Sequence, residues 1–284
     1  MIDVLITIAT IFAIIIFWVA LSDSNRFVVK GYTVTDRRIK KHCRAVLLTD
    51  LHNKRYGKNN EVLLGTIQEQ KPDFILIAGD ILTARPKEPL EPALRLLREL
   101  AEKYPVYYAN GNHEHRLKLY PDIYGDMAER YEASLKEMNI EPLVNDHVEL
   151  PEHGIAIYGS EIDRYYYKRF KVGRMSPDYL PRILGQAPKD TYTVLLAHNP
   201  DYFPQYAAWG ADLTLSGHVH GGVARVPFWG KGVIAPTWQL FPKYDGGVFR
   251  EGDAVMVLSR GMGTHTIPVR IFNPAELWVI DFQS

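Results

Sequence analysis

An α/β fold is predicted by three features of the chain. Short apolar runs at residues 45–48, 74–78 and 106–109 are rich in Ile, Leu, Val and aromatic residues, and turn formers such as Pro72 and Gly79 bound them, as they bound buried strands. Between these runs, residues 61–70 and 92–103 space Leu and Ile at helical intervals, with Leu94, Leu97 and Leu100 making one stripe. The resulting strand–helix–strand units favour parallel strands, which places the C-terminal ends of the runs on one edge of a sheet.

The 284 residues suffice for one large domain or two small ones, and no stretch after about residue 44 reads as an interdomain linker. Lys plus Arg number 33, as do Asp plus Glu, so a basic excess that would suit a nucleic-acid partner is missing. The single cysteine, Cys43, excludes a disulfide-stapled scaffold and reads as a small buried hydrophobe.

Residues 4–21 carry no charge, and Ile, Phe, Val and Trp18 dominate them over about the length that crosses a bilayer as a helix. A membrane anchor over residues 1–22 is one reading. A cleaved signal peptide is the other, with small residues at Ala20-Leu21-Ser22, but Asp3 and the lack of Lys or Arg ahead of the run favour the anchor. Arg26, Lys30, Arg37, Arg38, Lys40, Lys41 and Arg44 follow, so residues 23–44 read as a basic juxtamembrane linker. The positive-inside rule then sets residues 45–284 on the cytoplasmic face of the cell membrane, an extracytoplasmic domain being the alternative. These cations also suit anionic headgroups.

Along the domain, the run at 45–48 leads into Thr49-Asp50-Leu51-His52. In an extended chain Asp50 and His52 point the same way and present a carboxylate and an imidazole to one point. The run at 74–78 leads into Gly79-Asp80, where the carboxylate is either a turn former or a ligand aimed by a rigid strand. The run at 106–109 leads into Asn110-Gly111-Asn112-His113-Glu114. Residues 127–138 read as a helix, and 148–150 with 155–158 as a hairpin around Pro151 and Gly154. Residues 163–170 form either an amphipathic cover for the core or a wall, in which Arg164 and Arg169 meet an anionic ligand and tyrosines flank its organic part. Residues 193–197 lead into His198, and 212–216 into Gly217-His218-Val219-His220. A loop-rich part containing Pro236, Trp238 and Phe241 then precedes strands at 254–258 and 277–282. One histidine after a strand is commonly a turn or core residue; five strand ends that all close in Asp, Asn or His call for a shared purpose.

The candidate ligands Asp50, His52, Asp80, Asn112, His198, His218 and His220 exceed the needs of one ion and suit two divalent ions sharing a carboxylate. Mixed imidazole and carboxylate donors without thiolate point to Mn, Fe or Zn in a reactive site rather than to structural zinc. Two ions about 3.5–4 Å apart activate water and clamp phosphoryl oxygens, so phosphate-ester hydrolysis is the expected chemistry.

An Asp-x-His, a Gly-Asp, a Gly-Asn-His-Glu, a lone His and a Gly-His-x-His occur here in that order, and together they strongly resemble the calcineurin-like metallophosphoesterase superfamily over about residues 45–284. His198-Asn199-Pro200, residues 217–222 with Arg225 and Pro227, and residues 268–274 resemble its bacterial members with one N-terminal hydrophobic segment. The resemblance implies two packed mixed β-sheets flanked by helices, a four-layer α/β/β/α sandwich. It also implies that Asp50, His52 and His220 hold one ion, that Asn112, His198 and His218 hold the other, and that Asp80 bridges them. A metal-bound hydroxide would attack in line, with His113 facing the substrate as phosphate stabiliser or proton donor. We expect Glu114 to orient the His113 imidazole, and Arg225, Arg164 and Arg169 to contact substrate. Many members continue Gly-Asp-x-x-Asp, whereas Thr83 stands here in place of the second Asp, so the rim differs and the substrate stays open. Phosphodiesters and phosphomonoesters are expected, and a membrane lipid or glycolipid ester is the alternative, with Trp238, Phe241 and Tyr165 to Tyr167 lining its approach. A non-catalytic metal-binding membrane protein is the reading from a different class.

Overall fold

The computed structural model describes residues 1–168, 172–235, 238–264 and 268–284. It opens with helix α1 (Ile2–Asn25), then strands β1 (Phe27–Thr35) and β2 (Cys43–Leu48). Helix α2 (Glu61–Gln70), β3 (Phe74–Ala78), α3 (Glu91–Ala101) and β4 (Val106–Ala109) complete the two crossover units. Three helices follow, α4 (Asn112–Leu119), α5 (Pro121–Tyr124) and α6 (Met127–Glu137), then the hairpin β5 (Asp146–Leu150) and β6 (Ile155–Ser160). Helix α7 (Tyr179–Leu184), β7 (Tyr192–Ala197), α8 (Phe203–Trp209) and β8 (Leu213–Ser216) precede the closing strands β9 (Gly247–Glu251), β10 (Ala254–Leu258) and β11 (Ala275–Gln283).

The strands form two mixed sheets, one in the order β1-β11-β2-β3-β4 and the other β5-β6-β7-β8-β10-β9. Strands β2, β3 and β4 run parallel, as their helical crossovers require, and so do β6, β7, β8 and β10. Alternation along each strand divides its side chains between two layers. Ala45 and Leu47 of β2 face the second sheet, packing with Ile157, Leu196, Leu215 and Val257. Val46 and Leu48 face outward and pack with Leu63, Ile67, Leu94 and Leu97 of α2 and α3. On the far side Ala156, Tyr158 and Leu195 pack with Tyr179, Leu184 and Tyr206 of α7 and α8. The result is helix on sheet on sheet on helix, and the parallel C-terminal ends of both sheets meet at one edge.

Two N-terminal features differ from the expectation of an anchor ending at 22 and a basic linker to 44. Helix α1 runs to Asn25, and Phe27–Thr35 is not a linker but an edge strand in parallel register with β11. The edge escapes a pattern search because Lys30 lies inside it and most of its side chains are half-buried or exposed. Since β11 runs antiparallel to β2, the N-terminal ends of β11 and β1 lie at the same edge as the C-terminal end of β2. Helix α1 therefore leaves the domain at the edge that carries Asp50 and Asp80. Asp23 is buried there, pairing with Arg26 at 2.7 Å and accepting from the backbone N–H of Asn273 at 2.9 Å, while Lys54 donates to the Ser24 carbonyl.

Candidate metal centre

The loops after β2 and β3 are laced together before any side chain contributes. Asp50 N–H donates to the Gly79 carbonyl, His52 N–H to Asp80 and Asn53 N–H to Ile81, each at 3.0–3.1 Å. Across the sandwich, Gly217 N–H donates to the His198 carbonyl, and His218 N–H donates to both oxygens of Asp50 at 3.0 Å. Strands β2 and β8 end at Leu48 and Ser216, so Asp50 with His52, and His218 with His220, are not in extended chain as the alternation argument supposed. All four, and Asp80, hold left-handed backbone with φ between 49° and 72°. Each such residue costs roughly 1–2 kcal/mol relative to a right-handed one, and strain gathered at one point marks a site whose side-chain directions matter.

The side chains converge. Ligating atoms of Asp50, His52 and His220 lie within 4.8 Å of one another, and so do those of Asp80, His198 and His218. Asp80 faces both groups, its Oδ2 lying 3.0 Å from His198 Nε2 and 3.8 Å from His52 Nε2. His220 Nε2 lies 3.2 Å from Asp50 Oδ1 and 3.2 Å from His52 Nε2. Asn112 opens α4 beside them, and its buried Oδ1 accepts no hydrogen bond among the described residues. Buried oxygens and imidazole nitrogens gathered this closely, one of them an orphaned acceptor, fit divalent cations.

Hydrogen bonds at the far nitrogens separate the imidazoles by role. His198 Nδ1 lies 2.7 Å from the Ala78 carbonyl, which can only accept, so Nδ1 carries hydrogen and Nε2 is turned to Asp80, donating to it while protonated and offering a lone pair to an ion once that proton leaves. His113 is reversed: its Nδ1 accepts from the Ala84 N–H at 2.8 Å, leaving Nε2 to carry the proton 4.0 Å from Asp80 Oδ2. His52, Asp80 and His113 also form a compact triad, but a ring whose Nε2 bears hydrogen is a donor rather than a ligand. Burial lowers the pKa of His113 further, keeping it neutral.

Burial opposes the charge on Asp50, but the His220 and His198 imidazoles outweigh it and hold this carboxyl below its ordinary range. Asp80 is likewise held down against its burial, chiefly by His198 and His113. Burial disfavours a charged His198, yet Asp80 and Asp50 push its pKa up to about 10. Asp80 also sits at the N-terminus of α4 and accepts the His113 N–H at 2.8 Å, where the helix favours a negative charge.

Three expected roles are corrected or relocated. Glu114 does not orient His113. Its Oε2 accepts the N–H groups of Asp80 and Gly111, and its Oε1 accepts those of Ile81 and, at 3.4 Å, Leu82, together with the Tyr108 hydroxyl. Arg225 is no substrate contact: it is buried, donating to the carbonyls of Gly221, Asp245 and Gly230, so it ties the loop after His220. Arg164 lies half-buried in the 3₁₀ turn Arg164–Tyr167, and Arg169 lies outside the described residues. The same turn does place Tyr167 at the site, its ring 5.2 Å from that of His218. The Ala84 N–H and the Ala78 carbonyl, which set two imidazole tautomers, left no trace in side-chain chemistry.

The family model for calcineurin-like phosphoesterases matches residues 43–222. A metallophosphoesterase of Campylobacter jejuni, Cj0846, is 29% identical over 267 residues, covering 90% of this chain; the chain spans 63% of that protein's length. The phosphodiesterase YaeI of Escherichia coli is 28% identical over 226 residues, covering 77% of this chain and 74% of its own. Among solved structures, a metallophosphoesterase from Sphaerobacter thermophilus is similar with a TM-score of 0.36 at 14% identity, covering 80% of this chain and 81% of its own.

Proposed function

Because the chain belongs to the calcineurin-like phosphoesterase family, we propose that it is a metal-dependent hydrolase of phosphate esters, acting on phosphodiesters or phosphomonoesters at a two-ion centre. The observation that carries this reading is the pair of ligand groups facing one carboxylate, Asp80, with a neutral imidazole N–H beside them. Divalent Mn, Fe or Zn held by Asp50, His52, His220, Asn112, His198 and His218 around Asp80 would supply an activated water and neutralise phosphoryl charge. The protein's own contribution is positioning. His198 presents its ring through the Ala78 carbonyl, and Asp50 ties the loops of the two sheets through His218 N–H. His113, locked by Ala84, directs Nε2–H toward the space where the phosphoryl or leaving oxygen would lie, and donates to the charge that develops there. Tyr167 closes one wall against water.

Helix α1 is the membrane anchor in this reading, and the cations after it support a cytoplasmic domain by the positive-inside rule. One observation favours the lipid-ester reading as well: α1 leaves the domain at the catalytic edge, so an anchored enzyme holds its site near the headgroups.

The test is turnover by the purified full chain, reconstituted with Mn, Fe or Zn, on bis(p-nitrophenyl) phosphate, p-nitrophenyl phosphate and a phospholipid ester in vesicles. Hydrolysis of a soluble ester establishes the reaction class, and a strong preference for the vesicle substrate establishes the lipid reading. No turnover on any ester with any ion overturns both.

A further inference from the structure

Outside α1, the three most exposed large apolar side chains among the described residues, Phe228, Trp229 and Leu240, lie between β8 and β9, and Phe241 follows Leu240 there. Phe228 is fully exposed, Trp229 is 71% exposed, Leu240 65% and Phe241 51%. The rings of Trp229 and Phe241 lie 6.5 Å apart. These residues do not sit on a slack loop. Arg225 donates to the Gly230 and Asp245 carbonyls, Gly230 N–H donates to the Val226 carbonyl, and Lys231 donates to the Pro242 carbonyl, so the tip is built with its apolar groups turned outward. Grouped aromatic exposure of this kind marks an interaction surface rather than ordinary scatter.

Its position identifies the partner. A cleft of about 710 Å³ has Trp18, Val19 and Arg26 from the end of α1 on one side, and Val226, Pro227 and Phe228 on the other. The loop tip is thus level with the last two turns of a helix long and apolar enough to span a bilayer. Aromatic side chains concentrate at that depth, where the ring is amphipathic and the surroundings are half wet. Cations border the same place: Arg26 is half exposed, and Lys54, bonded to the Ser24 carbonyl at the helix end, is followed by the exposed Arg55. These suit the anionic surface of a cytoplasmic leaflet. The loop also continues directly from the site, since Asn273 links the two by donating to the His220 and Gly222 carbonyls while its own N–H meets Asp23 of α1.

We propose that residues 226–229 and 238–241 form a second membrane contact, lying in the bilayer interface beside α1 and holding the catalytic edge face-on to the lipid. The proposal rests on the reading of α1 as an anchor, and the experiment separates the two. The full chain, in a Cys43→Ala background, is labelled with a polarity-sensitive fluorophore at Phe228→Cys, at Phe12→Cys within α1, or at Asp253→Cys in the exposed β9–β10 turn. Each protein is reconstituted into phosphatidylcholine–phosphatidylglycerol vesicles with and without doxyl-labelled lipid. Quenching at Phe228→Cys should exceed that at Asp253→Cys by roughly threefold or more and be strongest with doxyl near the headgroup, whereas Phe12→Cys should be quenched most by doxyl deep in the acyl chain. Adding Trp229→Ser and Phe241→Ser should remove the quenching at Phe228→Cys. A quenched Phe12→Cys with an unquenched Phe228→Cys overturns the second contact; an unquenched Phe12→Cys overturns the anchor and the contact with it.

Discussion

Replacing Glu114 with Gln separates two accounts of this residue, one in which it steadies His113 and one in which it frames the β3–α4 junction. The structure supplies the magnitude. Oε2 accepts two backbone N–H groups at 2.9 Å, and Oε1 accepts the Ile81 N–H at 2.9 Å, the Leu82 N–H at 3.4 Å and the Tyr108 hydroxyl at 2.9 Å. The amide nitrogen of Gln must take one of these places. The Tyr108 hydroxyl can rotate to accept, but backbone N–H groups cannot, so either orientation leaves two buried donors facing a donor. At about 1–3 kcal/mol for each unsatisfied group, the loss is about 2–6 kcal/mol, a large part of a typical domain stability. Burial and the Asp80 charge push the Glu114 pKa up to about 7, so the comparison belongs near pH 8, where the parent carboxylate is ionised. Thermal unfolding of the metal-free full chain in detergent should show Tm lowered by about 5–15 °C. Metal affinity should fall too, although Glu114 touches no proposed ion, because Asp80 loses its frame. A variant with parental Tm and metal affinity but impaired turnover would restore the His113 account.

For His113→Ala, both ions should remain by elemental analysis while turnover on a model diester falls about 10²- to 10⁴-fold; unchanged turnover would remove the imidazole from the chemistry. His198 predicts a linked proton. Its folded value of about 10 lies above the unfolded value of 6.5. The charged ring's contribution to metal-free stability is therefore fully present below about 6.5 and is lost as pH rises through about 10. An ion must displace that proton, so affinity should rise with pH across the window, and calorimetry near pH 8 should read about one proton released into the buffer. Binding enthalpies identical in buffers of different ionisation enthalpy would show the ring already neutral. Gly111→Ala would place a methyl group against the Asp80 carboxylate, which overlaps that position. A stability loss of about 1–3 kcal/mol with weakened metal binding is expected, and a variant binding metal like the parent would mean that β3 and β4 are not in fixed contact there.

The parallel strands were legible because burial on both faces makes them continuous apolar runs, and the strand ends were legible because each closes in Asp, Asn or His. The directions of those side chains were not. They depend on left-handed backbone at Asp50, His52, Asp80, His218 and His220, a conformation that non-glycine residues rarely adopt and that no local pattern announces. Glu114 misled because it follows His113 in sequence. On the first turn of α4, neighbours diverge by about 100°, so the ring and the carboxylate serve different loops. Arg225 misled for a related reason: a guanidinium near a phosphate site invites an anion, but its donors are consumed by carbonyls of its own loop. Strand β1 was missed because edge position and an exposed face removed the apolar signal that identified its neighbours.

That edge strand has a bearing on how the chain is made. Strand β1 pairs with β11 and reaches the rest of the sheet through it, because β11 lies between β1 and β2. Strand β1 leaves the ribosome before β11 and therefore waits for it. At about 5–20 residues per second, the interval is roughly 10–50 s, during which β2, β3 and β4 can assemble while Phe27–Thr35 has an open edge. A helix already seated in the membrane would keep that segment tethered and apart from other chains until β11 arrives. Under the anchor reading proposed above, α1 would then also act as a holding device during synthesis, and loss of the nine-residue β11 would detach β1 along with it.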